Sequence, residues 1–214
     1  MPELHLERQF VAQGYRLIAG LDEAGRGAWA GPVTAAAVIL PLDRSDLTTV
    51  LSGVDDSKKL SPSRREKLFA LIQTTAVAVG VGHASAEEID RLGIVPATQK
   101  AMLRALEALT PSPQALLIDA LSLQAFSELP QLSLDHGETA SLSIAAASIV
   151  AKVSRDWLMG ALEVQYPGYQ LARHKGYGVP AHRAALQQLG ISPIHRCSYL
   201  PVRRLMAEET SEND

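Results

Sequence analysis

Residues 16–27 read Arg16-Leu17-Ile18-Ala19-Gly20-Leu21-Asp22-Glu23-Ala24-Gly25-Arg26-Gly27, an apolar run that ends in two adjacent acids and a glycine–arginine loop. The segment 16–22 has the composition of a buried strand. A second apolar run at 33–40 follows the glycine-rich segment 25–32, so the two are expected to form an antiparallel pair that opens a sheet. Acids placed directly after a buried strand cost desolvation energy unless something compensates. Adjacent strand side chains point to opposite faces, so the strand is expected to end or bulge at Glu23 if both acids serve one site. The bland alternative is a turn cap at Glu23 and a lysine pair at Asp22.

Outward from this pair, strands give way to alternating helices and strands. A short helix is expected at 4–13, closed by Gly14, and another from Ser61-Pro62 to about 73, with Ser61 as N-cap. A small-residue strand follows at 76–82, then a short helix from Ser85 and a strong one at 96–109. Residues 115–119 read as a buried strand, 132–134 as a weak one, and 143–165 as the longest helix. Two shorter helices flank a turn at 190–195. The predicted class is α/β, a mixed sheet flanked by helices with a helical C-terminal extension. One domain is expected over 1–206, helical from about 180, with a disordered acidic tail at 207–214.

The chain has 214 residues, 47% of them hydrophobic, which suffices for a core without disulfide or metal staples. Cys197 is the sole cysteine, so no intrachain disulfide exists and a reducing, cytoplasmic setting is expected. No run approaches the roughly 20 apolar residues of a membrane helix, and a monomer is the default. The net charge of −3 does not advertise a nucleic-acid binder, but the acidic tail contributes −4, so the residues before Glu208 sum to +1. Basic clusters recur at Lys58-Lys59, Arg64-Arg65, Arg173-His174-Lys175 and Arg203-Arg204.

Asp119 ends the strand 115–119, where ligands of open α/β sheets gather, although a turn aspartate reads equally well. Asp156 shares a helical face with Ala145, Ser148, Ile149 and Lys152. It is a fourth candidate acid, or else the partner of Lys152 in an exposed i, i+4 ion pair. Four acids without histidine or cysteine suit Mg²⁺ or Mn²⁺ and argue against zinc. Two such ions about 4 Å apart would support phosphodiester hydrolysis. Gly25 and Gly27 would let backbone approach a sugar–phosphate, and Arg26 suits a phosphate; neither a Walker loop nor a dinucleotide fingerprint is present. In His174-Lys175-Gly176-Tyr177-Gly178, Tyr177 is placed to stack on a base or sugar, or to pack on the core. His174, His182 and His195 read as surface or structural residues.

These segments, with Asp56-Ser57-Lys58-Lys59-Leu60, 147–156 and His195-Arg196-Cys197-Ser198, resemble the ribonuclease HII family over roughly 16–205. The resemblance implies a ribonuclease H-like fold and a metal site of Asp22, Glu23, Asp119 and Asp156. It implies recognition of the ribonucleotide 2′-hydroxyl by Gly25, Arg26 and Gly27, with Tyr177 stacking on the sugar on the deoxy side of an RNA–DNA junction. Lys58, Ser148, Lys152 and Lys175 complete the expected substrate-binding set. The implied activity is cleavage of RNA:DNA hybrids, and incision 5′ of ribonucleotides in duplex DNA that leaves 3′-hydroxyl and 5′-phosphate ends. A junction resolvase and a non-catalytic binding module are the competing readings, and a sliding clamp is a partner the sequence neither requires nor excludes. Three segments depart from the family pattern: His136-Gly137-Glu138 stands for Lys-Gly-Asp, Ala145 for serine, and Asp119-Ala120 for Asp-Gly.

Overall fold

The computed structural model describes residues 2–123 and 128–211, with side chains through 205. In chain order the elements are α1 (His5–Ala12), β1 (Ile18–Ala24), β2 (Val33–Ile39), α2 (Leu47–Val50), α3 (Pro62–Thr75) and β3 (Ala78–Ala84). There follow α4 (Ala86–Leu92), α5 (Ile94–Glu107), β4 (Ala115–Asp119), β5 (Gln131–Leu134) and α6 (Gly137–Ala140). The chain ends through α7 (Leu142–Gln165), α8 (Leu171–His174), α9 (Pro180–Leu189) and α10 (Leu200–Ser211). A 3-10 turn at Ser57–Lys59 precedes α3. The last helix enters the segment whose composition suggested disorder, and 212–214 lie outside the described residues. The short pieces α2, α6, α8 and the 3-10 turn were invisible to periodicity, which needs more than one turn to register.

The sheet is mixed, in the order β3-β2-β1-β4-β5, as the α/β reading expected. β1 pairs with β2 antiparallel and β2 with β3 likewise, whereas β4 runs parallel to β1 and β5 parallel to β4. Helix starts follow the predicted chemistry: Ser61 accepts from the Arg64 N–H, and Ser85 closes a capping box with Glu88.

Alternation along β1 assigns its faces. Ala19 and Leu21 join Ala35, Ala37, Ala101 and Met102 in a core beneath α5. Gly20 looks toward α7: a Cβ there would stand 2.2 Å from the Ser143 carbonyl carbon, so only glycine lets that helix lie directly on the strand. The alanine run Ala145-Ala146-Ala147 continues the close contact against Ala36 and Val38 of β2. A third cluster, including Met159, Tyr169, Leu171 and Leu186, fastens the C-terminal helices to the far end of α7 and to Ala30. Among the described residues no helix is long and apolar enough to cross a membrane.

Candidate active site

The parallel ladder between β1 and β4 ends with Leu21 opposite Ile118. Asp22 and Asp119 are therefore the next residues on adjacent strands, about 4.8 Å apart in backbone spacing and on the same face. That face is the α7 side, shared with Gly20, and Asp22 is buried. Contrary to the expected break, β1 continues through Glu23 to Ala24 in unbroken register, with Glu23 opposite Ala35 and Ala24 opposite Thr34. Glu23 nonetheless borders the same cavity as Asp22, one of about 250 Å³. Asp22, Glu23, Gly25, Arg26, Gly27, Lys58, Asp119, Ser148, Lys152 and Tyr177 all border it.

A further carboxylate enters from α6. Gly137 N–H donates to Asp119 Oδ1 at 2.7 Å, docking α6 on the end of β4. This places the Glu138 carboxyl within hydrogen-bond reach of Asp119 and in electrostatic contact with Lys58. Glu138 is buried, and its Oε2, like Glu23 Oε2, has no hydrogen-bond partner. In the sequence, Glu138 stands out only as a departure from a pattern. Its signal was a lone acid between the strand bearing Asp119 and the start of the long helix.

Asp156, expected as the fourth acid, is, like Glu138, not among the side chains bordering the cavity. It binds Lys152 Nζ at 2.6 Å and faces Arg65 at 3.9 Å, the i, i+4 pairing weighed as its bland alternative. Lys175 is also set back: its ammonium donates to the carbonyls of Ala172 and Asp156, while its own carbonyl accepts from Arg155.

The charges are under tension. Burial, then the neighbouring charges of Glu23 and Asp119, pushes the Asp22 pKa well above the ordinary carboxylate value, although the Glu23 N–H opposes this at 2.6 Å. Burial raises Glu23 against the pull of Arg26, and raises Asp119 despite its bond from Gly137. Burial works against the Lys58 ammonium, but Asp22, Asp56, Glu138 and Asp119 outweigh it and hold its pKa above the usual value. The 3-10 turn delivers that lysine: Asp56 accepts from the Lys58 N–H, and Arg65 binds the carbonyls of Ser57 and Leu60. Ser148 donates to Ser57 Oγ at 2.8 Å, locking the turn to α7.

Among the described residues no three such side chains already stand in the geometry of an assembled metal site. The donor set still fits hard cations. Asp22, Glu23, Asp119 and Glu138 are all carboxylates, and two of their buried oxygens lack any other partner. Uncompensated carboxylates repel one another, and a bound divalent cation would offset that repulsion.

The loop after β1 is held by two wholly buried arginines, both within segments that carry the family resemblance but show no role for them in sequence. Arg155 donates to the carbonyls of Pro32, Lys175 and Ala30, and burial lowers its pKa to about 10, still charged at neutral pH. Gly25 sits at φ +95° with its α-carbon against that side chain, where a Cβ would meet Arg155 Nε at 1.9 Å. Arg196 donates to the carbonyls of Gly31 and Arg26. The Trp29 N–H binds Gly176 O at 2.8 Å, so the loop and the Tyr177 segment form one unit. Tyr177 is 37% exposed, with the Arg155 guanidinium 5.6 Å from its ring centre.

Beneath Tyr177 lie His174, His182 and His195, all buried and therefore structural rather than surface residues. His174 Nδ1 accepts from the Gly176 N–H, His182 Nδ1 donates to Tyr177 O, and His182 Nε2 meets His195 Nε2 at 3.1 Å. His195 Nδ1 accepts from the Ser192 N–H, so each ring can complete this chain with a single proton. Burial holds His182 and His195 at about 4, below the ordinary 6.5. Stability owed to these neutral rings is full above pH about 6.5 and is lost as pH falls through about 4. Imidazole NMR titration should show both rings neutral at pH 5; either one protonated there would contradict the arrangement.

A family model described as Ribonuclease HII matches residues 19–202. The chain is 53% identical over 202 residues to ribonuclease HII of Geobacter sulfurreducens, covering 94% of this chain and 90% of that one. It is 51% identical over 205 residues to ribonuclease HII of Chloroflexus aggregans, covering 96% of both. Its structure resembles ribonuclease H2 from Pyrococcus horikoshii, with TM-score 0.76, 25% identity and coverage of 92% and 99%. It also resembles a chain of the PCNA:RNase HII complex from Archaeoglobus fulgidus, with TM-score 0.72, 27% identity and coverage of 86% and 95%.

Proposed function

Because the chain belongs to the ribonuclease HII family and is thus a metal-dependent endonuclease acting on RNA:DNA hybrids, we propose that Asp22, Glu23, Asp119 and Glu138 hold its divalent cations. The observation that carries this is the pair of buried, unpartnered oxygens on Glu23 and Glu138, set among acids whose charged forms the protein alone does not favour. The oxygen-only donors favour Mg²⁺ or Mn²⁺, and two ions match the number of carboxylates. Bound there, such cations supply polarisation of the scissile phosphate and a lowered pKa for the attacking water. Lys58 brings a positive charge to the same cavity and Arg26 a guanidinium at its rim, both suited to non-bridging phosphate oxygens. Asp156 acts at one remove, orienting Lys152 and Arg65.

The loop 25–27 reads the ribose and Tyr177 stacks on the neighbouring sugar, so that a single ribonucleotide in duplex DNA is incised on its 5′ side. The lone cysteine suits a cytoplasmic setting. A 5′-labelled duplex with one embedded ribonucleotide tests this reading. Incision should give a 3′-hydroxyl end 5′ of the ribonucleotide, require Mg²⁺ or Mn²⁺, and stop with EDTA. Cleavage of an all-DNA four-way junction in its place would refute it. Tyr177→Ala should lower kcat on that duplex by about tenfold or more, the scale of one lost stacking contact. Its binding should weaken less, and equal losses would remove Tyr177 from the reacting geometry.

A further inference from the structure

We infer that Arg196 and Tyr199 are positioning residues for ribonucleotide recognition: they grip the Arg26 carbonyl from inside the protein and so turn the Gly27 N–H outward as the donor to the sugar 2′-oxygen. The inference rests on the reading of the 25–27 loop as the part that meets the ribose.

The geometry follows from one peptide plane. The Arg26–Gly27 peptide is trans, so its C=O and N–H point in opposite directions. The oxygen accepts from Arg196 Nη1 at 2.8 Å and from the Tyr199 hydroxyl. Arg196 is itself fixed: it is wholly buried, its Nε donates to Gly31 O at 3.0 Å, and its guanidinium lies 5.2 Å from the Tyr199 ring centre. With the carbonyl drawn inward by two donors, the amide must face the other way, and Gly27 is exposed on the cavity. Among the described residues nothing accepts from the Gly27 N–H.

The two glycines of the loop differ in a telling way. Gly25 is demanded by the protein's own packing, whereas a Cβ at Gly27 would meet nothing within 4 Å and its φ needs no glycine. Its missing side chain therefore serves a visitor: it leaves room for a sugar to come down onto the amide. A charged donor on the carbonyl also polarises the peptide and strengthens the opposite N–H as a donor.

Tyr199→Phe keeps the ring over Arg196 and removes only the hydroxyl. The full-length variant and the parent chain are assayed with Mg²⁺ on two duplexes, one with a single ribonucleotide and one with 2′-fluoro-2′-deoxynucleotide, a poor acceptor, at the same position. The expected result is about a tenfold fall in kcat/KM on the ribonucleotide duplex, the worth of one hydrogen bond, with a much smaller fall on the fluoro duplex. Equal falls on both, or none on either, would overturn the positioning role. Should the parent chain itself cleave both duplexes equally, the reading of the loop as sugar reader fails instead. Arg196→Lys retains a charge but not the forked grip, and should shift the same ratio in the same direction. If neither variant folds, the Gly27 amide of the parent chain decides. Its ¹H–¹⁵N resonance should move downfield with the ribonucleotide duplex relative to the all-DNA duplex, and an unmoved resonance would overturn the inference.

Discussion

Asp22→Asn is expected to abolish turnover while making the cation-free protein more heat-stable. Asparagine keeps the volume and can still accept the Glu23 N–H, so the fold is retained. What disappears is a buried charge whose ionisation the site opposes through desolvation and through Glu23 and Asp119. Removing it relieves that cost, and the melting temperature should rise. Losing a cation ligand forfeits several kcal/mol of charge stabilisation in the transition state, a fall in kcat of at least about a thousandfold. The same pair of opposite signs decides between the two candidates for the fourth carboxylate. Glu138→Gln should behave like Asp22→Asn, losing turnover and weakening Mn²⁺ binding measured by calorimetry. Asp156→Asn should lose only the ion pairs to Lys152 and Arg65, with a fall in kcat of about ten- to a hundredfold, the range for residues that act through another. If Asp156→Asn abolished cation binding and Glu138→Gln left it intact, the assignment would reverse.

Gly20→Ala is expected to be strongly damaging for the addition of a single methyl group. Its Cβ would lie 2.2 Å from Ser143 C, 2.4 Å from Ser143 O and 2.5 Å from Ile144 N. These are backbone atoms at the start of α7 and no rotamer change relieves them. The helix has to shift off the strand, opening a contact made elsewhere by alanines. Overpacking of this kind costs about 1–3 kcal/mol or more, which lowers the melting temperature by roughly 2–4 °C for each kcal/mol in a chain this long. Because α7 also carries Ser148 and Lys152, its displacement should reduce kcat beyond what the unfolded fraction explains. Thermal unfolding and kcat, both measured well below the transition, check the two parts. A melting temperature within 1 °C or so of the parent would mean that α7 accommodates the methyl by a slide the site tolerates.

Much of this was legible in one dimension. The five strands and the longer helices follow from apolar periodicity and caps such as Ser61 and Ser85, which act over a few residues and so leave a local mark. Asp22, Glu23 and Asp119 were readable because an acid at the end of an apolar strand violates a local burial rule. The glycine–arginine loop was visible by composition. Only the tertiary structure sets Glu138 against Asp119 and pairs Asp156 with Lys152 and Arg65, since helical spacing tells which side chains share a face but not which groups that face meets. It also revealed the carbonyl grips of Arg155 and Arg196, about 125 and 165–170 residues away in sequence from the oxygens they hold in the 26–32 loop. A buried guanidinium has the same code letter as an exposed one, and its meaning is set by unpaired backbone oxygens that only the folded chain brings within reach.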